Sequence, residues 1–262
     1  MVRKVYDPEI MKNVLRISTL SDEHIRWNTY KVLRQSTPAE VEGGKVSYFD
    51  YHKIMHEIGK RYGVSHRHVA GVFCALSPNA DWLSNLRSAL TVVHGFVNSW
   101  AEHEVTVSTY KHNRAKAWEL MAGAPFDEVY KGLKVRAFYR NICDPNDREH
   151  VCVDGHMANV ARGYPVGTRY AETGGIKGYR RIVAAVKEVA EQEGLIPSQL
   201  QGILWVTWKR IHGIMISDHA SLFDALVEWK RPYIDTSNWR PYPRRVQKNE
   251  KESGYVQECL CF

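Results

Sequence analysis

The segment Val151-Cys152-Val153-Asp154-Gly155-His156 sets a carboxylate and an imidazole two residues apart, after a short apolar approach. Asp is a favoured N-cap, so Asp154 is expected to open a helix over 156–162, where the helix dipole favours its ionised form. A carboxylate held this way suits chemistry in which positive charge develops on a sugar carbon, because it stabilises that charge and orients water. The competing reading is an ordinary N-cap without chemistry. His156 reads either as a hydrogen-bonding or ligand-contacting group or as a side chain packed under the first turn. Upstream, Lys131-Gly132-Leu133-Lys134-Val135-Arg136 has the composition of a turn entering a helix, with Gly132 permitting the turn. A hairpin between two helices points backbone amides at a phosphate. The basic groups His66-Arg67-His68, Lys111-His112-Asn113-Arg114, Lys131, Lys134, Arg136 and Arg140 flank these segments and are expected to form a phosphate track.

The elements that must position these groups read as helices throughout. One pattern follows Asp7-Pro8, and a second follows Ser21-Asp22-Glu23, a capping signal. A polar, Gly-bearing break at 36–46 separates them from a helix near 48–62 that Gly63 stops. Ser65 caps the next helix, whose run Val69 to Leu76 is nearly continuously apolar and is expected to be buried. Further helices are expected at 81–100, 109–122, 125–130, 134–142, 176–193, 197–212 and 220–229. In the segment after Pro197 the stripe Leu200, Ile203, Leu204, Thr207 and Ile211 reads as core, which leaves Lys209 and Arg210 outward. No period-two strand pattern and no internal repeat occurs, so the class is all-α. The expected organisation is an N-terminal helical pair at 1–45, a main domain at 46–230 and a basic tail at 231–262, extended or wrapped over the surface.

A net charge of +7 favours a polyanionic partner. Five cysteines without CxxC spacing point to reduced thiols and a cytoplasmic protein, and Cys259 and Cys261 read as a frayed terminus rather than half a metal site. The first residues lack the apolar core of a signal peptide and no long apolar run occurs, so no membrane partner is expected.

Three blocks, in order, resemble the helix-hairpin-helix DNA glycosylase superfamily, in particular its endonuclease III group. Val72-Phe73-Cys74-Ala75-Leu76-Ser77-Pro78-Asn79-Ala80-Asp81-Trp82 resembles the buried helix that ends in Leu-Ser and a DNA-touching loop. Asn113-Arg114-Ala115-Lys116-Ala117 resembles the family's Asn-x-Lys-Ala helix start. The run from Lys131 to Ala137, followed by Val153-Asp154-Gly155-His156 and Arg162, resembles the family's Gly-rich hairpin, its Val-Asp-Thr-His and a downstream Arg. The resemblance spans roughly 66–165 and implies a two-lobed fold that flips a base out of DNA. It places Asp154, Arg136 and His156 in the catalytic set, with Asp154 as its carboxylate and Arg136 where strand-cutting members carry a nucleophilic lysine. Lys134 becomes the nucleophile if the register slips by two. Asn79 falls where the family fills the gap left by an extruded base, and Trp82 reads as a stacking platform or a core tryptophan.

Because an arginine does not readily lose its proton to attack carbon, the resemblance implies a monofunctional N-glycosylase. DNA is the implied partner, contacted through Asn79, Trp82, Arg114, Lys116, Lys131, Gly132, Lys134 and Arg162. The family's hairpin carbonyls suggest a monovalent cation there, although one of the usual two glycines is missing. The four-cysteine iron–sulfur loop of the endonuclease III group is absent, since no cysteine lies between 152 and 259. Such divergence is similar to bacteriophage offshoots of the superfamily, some of which resemble pyrophosphorylase-like enzymes that modify thymine derivatives. Transfer onto a modified pyrimidine is therefore the alternative reaction, and a non-catalytic DNA-binding or host-interaction protein the alternative class.

Overall fold

A computed structural model describes residues 16–78, 80, 82–168, 171–214 and 239–245. Among them the chain forms ten α-helices, two short 3-10 turns and no strand, as an all-α class requires. The helices are α1 (Asp22–Leu33), α2 (Pro38–Tyr62), α3 (His66–Leu76), α4 (Trp82–Val97), α5 (Lys111–Met121), α6 (Phe126–Val129), α7 (Leu133–Cys143), α8 (Gly155–Arg162), α9 (Gly175–Gln192) and α10 (Pro197–Ile211). The helices expected after Pro8 and at 220–229 lie outside the described residues, as do Asn79, Cys259 and Cys261.

Local chemistry accounts for the starts. Ser21 Oγ accepts from the His24 amide, Ser65 Oγ from Arg67 and Asp154 Oδ1 from Met157, each satisfying an amide that the helix cannot. The break expected at 36–46 is corrected: α2 begins at Pro38, ten residues before the predicted start, and runs through residue 45. Thr37 and Glu40 form a reciprocal capping box ahead of Pro38, and these outweigh the helix-weakening Gly43-Gly44 pair.

The glycines are spent on packing. A Cβ on Gly44 would stand 2.5 Å from both the backbone nitrogen and Cγ1 of Ile203, and one on Gly202 would stand 2.9 Å from the Gly44 carbonyl. Helices α2 and α10 therefore cross with their backbones almost in contact. Polar bonds lock the crossing on either side. Tyr48 donates its hydroxyl to Gln201 Oε1 (2.8 Å), while buried Glu40 receives Arg210 Nε (2.5 Å) and Nη2 (3.0 Å) and the Thr207 hydroxyl (3.2 Å). Burial alone would raise the Glu40 pKa, but bonds from Arg210, the Thr37 amide and Thr207 together hold it below the ordinary value.

Two hydrophobic cores result. The first is drawn from Tyr48 to Cys143, on α2 to α7, and includes the wholly buried run Val69–Leu76. The second joins Ile17, Leu20 and α1 to Val151, Val153, α8, α9 and α10. The start of α2 and Leu133 of α7 pack on the second core, so both helices serve the two. Residues 239–245 lie extended over the first core: Trp239 packs on it, the Tyr242 amide donates to Thr91 Oγ1 (2.8 Å) and the Arg245 amide to the Glu104 carbonyl (2.9 Å). No helix among the described residues is long and apolar enough to cross a membrane.

Gly44→Ala tests the crossing. Helix propensity favours alanine by about 1 kcal/mol, but the added methyl meets backbone, and such overpacking costs roughly 1–3 kcal/mol. The variant is expected to melt below the wild type by circular dichroism; an equal or higher midpoint would mean that the helices separate freely.

Candidate functional site

Asp154 stands where the two cores meet. Its flanking residues Val153 and Met157 are in the second core, and Trp205, which bonds it, lies one turn along α10 from Gln201, which holds Tyr48 of the first. The approach 151–153 is clamped by Tyr179, whose hydroxyl donates to the Val151 carbonyl (2.8 Å) and accepts from the Val153 amide (3.3 Å). Gly155 follows, and a Cβ there would press within 3.0 Å of Thr168. The 164–168 loop thus occupies the space a side chain at 155 would need.

Both carboxylate oxygens of Asp154 are held. Oδ1 accepts from the Met157 amide and Oδ2 from the indole Nε1 of Trp205 on α10, each at 2.9 Å. Hydrogen bonds to a charged acceptor contribute roughly 1.5–3 kcal/mol each, so orientation as well as position is fixed. Around this pair stand three more polar groups. The Lys209 ammonium lies 3.9 Å from the centroid of the Trp205 ring, in cation–π geometry, with its side chain buried along the helix. Burial lowers its pKa and Asp154 opposes that shift. His156 meets Trp205 edge-on at 5.8 Å, and its buried Nδ1 has no hydrogen-bond partner among the described residues. Burial pushes His156 below the ordinary histidine value; Asp154 pulls it up, and Lys209 and Lys134 push it further down. Exposed Lys134 also acts on Cys152, whose thiol is pushed up to about 12 by burial first and Asp154 second, leaving it protonated and unreactive.

The predicted site residues therefore divide. Asp154, His156 and Lys134 share one electrostatic neighbourhood; Lys131 and Gly132 are exposed on the connection between α6 and α7, and Lys134 is exposed in the first turn of α7. Gly132 has φ −71°, open to any residue, and a Cβ there would meet nothing within 4 Å, so the turn itself does not require it. Arg136 is corrected: its Nε pairs with Asp127 (2.9 Å), which also holds Arg140, and it shares no hydrogen bond or ion pair with Asp154. Arg114 and Arg162 are corrected as nucleic-acid contacts. Arg114 is buried against Glu102 and the Val105 carbonyl, and Arg162 is buried against Asn159 Oδ1 and the Glu172 carbonyl. Lys116 stands half-buried with its ammonium 4.9 Å from the Tyr130 centroid. Trp82, also half-buried, packs on the first core with its ring 6.0 Å from that of Tyr51, the core alternative of its two readings.

Lys209 is corrected from outward to buried, and with Trp205 it is what sequence reasoning missed. The signal was the i, i+4 stripe Gln201-Trp205-Lys209, which runs beside the apolar stripe of α10 and carries one partner each for Tyr48 and Asp154.

A family model described as "Family of unknown function (DUF7178)" matches residues 11–212, more than half of the chain, and the protein belongs to that family. No curated protein and no solved structure matches the chain.

The charges around His156 are checked by following its ring resonances by NMR against pH. Asp154→Asn removes the attraction that supports protonation, so the His156 midpoint, already below the ordinary histidine value, is expected to fall further. Lys209→Met is expected to raise it. Unchanged midpoints in both variants would remove Asp154 and Lys209 from its surroundings.

Proposed function

We propose that the protein is a DNA base-directed enzyme with a two-lobed, glycosylase-like architecture, acting as a monofunctional N-glycosylase through Asp154. The observation that carries this is a carboxylate at a helix start, with both oxygens pinned by N–H donors, lying between two hydrophobic cores, with Lys134 of α7 acting on its neighbours Cys152 and His156. Such a carboxylate cannot turn away as charge builds opposite it, which is the pre-organisation that stabilises an oxocarbenium-like sugar. In the proposed reaction a nucleotide is flipped into the seam, the C1′–N bond breaks, and its electron pair leaves with the base, which takes up a proton. Asp154 opposes the positive charge on the sugar and orients a water that adds at C1′, releasing a proton and leaving an abasic site.

The proposed excision leaves the strand uncut. Arg136, which stands in the lysine position, is engaged by Asp127 and does not readily lose its proton to act as a nucleophile. Lys134 lies on the exposed surface beside the hairpin, with Lys131, where the two fit phosphate contacts. The buried free thiols Cys74, Cys143 and Cys152 support a reducing cytoplasm as its compartment, the host's if the gene is carried by a phage.

The test incubates duplexes carrying uracil, hydroxymethyluracil, oxidised or alkylated bases with the protein, followed by alkali. At least one is expected to yield alkali-labile abasic sites, and Asp154→Asn to reduce the rate about a hundredfold or more while DNA binding persists. A covalent adduct trapped by borohydride would replace the hydrolytic mechanism with a lysine nucleophile. A mass increase on a modified thymine with its glycosidic bond intact would replace excision with transfer. Binding without any change to the DNA, unaltered in Asp154→Asn, would leave a DNA-binding protein.

The hairpin contact is tested separately. Lys131→Ala with Lys134→Ala is expected to weaken DNA binding similarly across sequences and to reduce the magnitude of the log K against log salt slope by about 2. A slope equal to the wild type would remove the hairpin from the DNA interface.

A further inference from the structure

On the face of the first core formed by α2 and α3, three histidines converge. His52 and His56 are one helical turn apart on α2, and His66 is the first residue of α3, brought back by the turn at Gly63. One ring nitrogen from each lies within 4.8 Å of the others. The ring centroids are 4.5 Å apart for His52–His56, 5.4 Å for His52–His66 and 3.8 Å for His56–His66, the last pair stacked. Sequence reading placed His66 in a phosphate track and gave His52 and His56 no role.

We infer that His52, His56 and His66 form a binding site for a first-row divalent transition metal, zinc being the favoured ion. Two observations beyond proximity support it. The first is orientation. The Nδ1 of His52 is 2.9 Å from the Ile142 carbonyl on α7, and since a carbonyl only accepts, this nitrogen carries the proton and donates it. In the neutral ring the Nε2 lone pair is then left for a ligand, with a backbone partner fixing the tautomer as metal-binding histidines commonly have. The second is the donor set. Three imidazoles drawn from two helices match sites that hold zinc through three histidines and keep a fourth position for water. Oxygen-seeking magnesium and calcium do not suit such a set, whereas zinc, cobalt, nickel and copper do.

Zinc–nitrogen bonds are about 2.0–2.1 Å long, so the nitrogens must draw closer and the His56–His66 stack must open edge-on. His56 is exposed and swings without disturbing the core, while His52 and His66 are partly buried and already placed. The ion would fasten α2 to the beginning of α3 across the Gly63 turn. This site lies on α2 and α3, apart from Asp154, and stands or falls independently of the DNA reading.

The experiment uses the full chain, stripped with chelator and titrated with Co²⁺ and then with Zn²⁺ against a chromophoric chelator. One ion per chain is expected, with visible d–d bands for cobalt, displacement by zinc, a zinc-dependent rise in melting temperature and no response to Mg²⁺. His56→Ala, at an exposed position where folding is checked by circular dichroism, is expected to weaken binding by at least about tenfold, and His66→Ala likewise. Cys259→Ser with Cys261→Ser is expected to leave binding unchanged. No saturable binding, equal affinity in His56→Ala, or loss of binding in the double cysteine variant would each overturn the assignment, leaving the three rings as a packed aromatic cluster.

Discussion

The molecule depends on the contact of α2 with α10, where backbone meets backbone through Gly44 and Gly202. One helix of this pair runs through both hydrophobic cores; the other carries the residues that hold the carboxylate at their junction. The distance between α2 and α10 sets whether Gln201 reaches Tyr48, whether Arg210 reaches Glu40 and whether Trp205 reaches Asp154. These bonds are directional and short, and each fails over shifts much smaller than a side chain. Two missing methyl groups thus stand behind the geometry of a site to which neither glycine contributes a functional group.

Asp154 makes two bonds of different consequence. As an N-cap it satisfies the Met157 amide, a role any short polar side chain fills. The bond from Trp205 distinguishes it, because an indole donor reaching from a helix far along the chain does nothing for the start of α8. It aligns the second oxygen and walls one side of the site with an aromatic face that also holds Lys209. Carboxylate, indole and ammonium form a sequence of contacts in which each group orients the next.

What the sequence made legible was local. Ser21, Ser65 and Asp154 announce their helices because a cap and its amide are neighbours in the chain, and the stripe of α10 was readable because period 3.6 needs no partner. Gly43-Gly44 misled because glycine has the same appearance in a loop and in a tight crossing; what distinguishes the two is Ile203, nearly 160 residues away. The arginines failed for a related reason. Arg114 and Arg162 sit in basic surroundings along the chain, yet each is desolvated against carbonyl or carboxyl groups that only folding supplies. Arg136 and Lys134 differ by two positions on one helix, enough to face different partners: Asp127 for the first, the Asp154 neighbourhood for the second. The all-α class and the capping role of Asp154 were therefore readable, while the company Asp154 keeps was not.

The division of the chain between the cores has a consequence for its birth on the ribosome. The first core, Trp239 aside, draws on one continuous stretch, from Tyr48 to Cys143. The second is assembled from both sides of that stretch, from Ile17 to Val32 before it and from Val151 to Trp208 after it. At about 5–20 residues per second, α10 follows the end of the first core by roughly 3–12 s. During that interval α1 and the leading turns of α2 have emerged with their apolar faces uncovered, waiting for a helix not yet made. The same helix that holds Asp154 in place is the last described one to be synthesised.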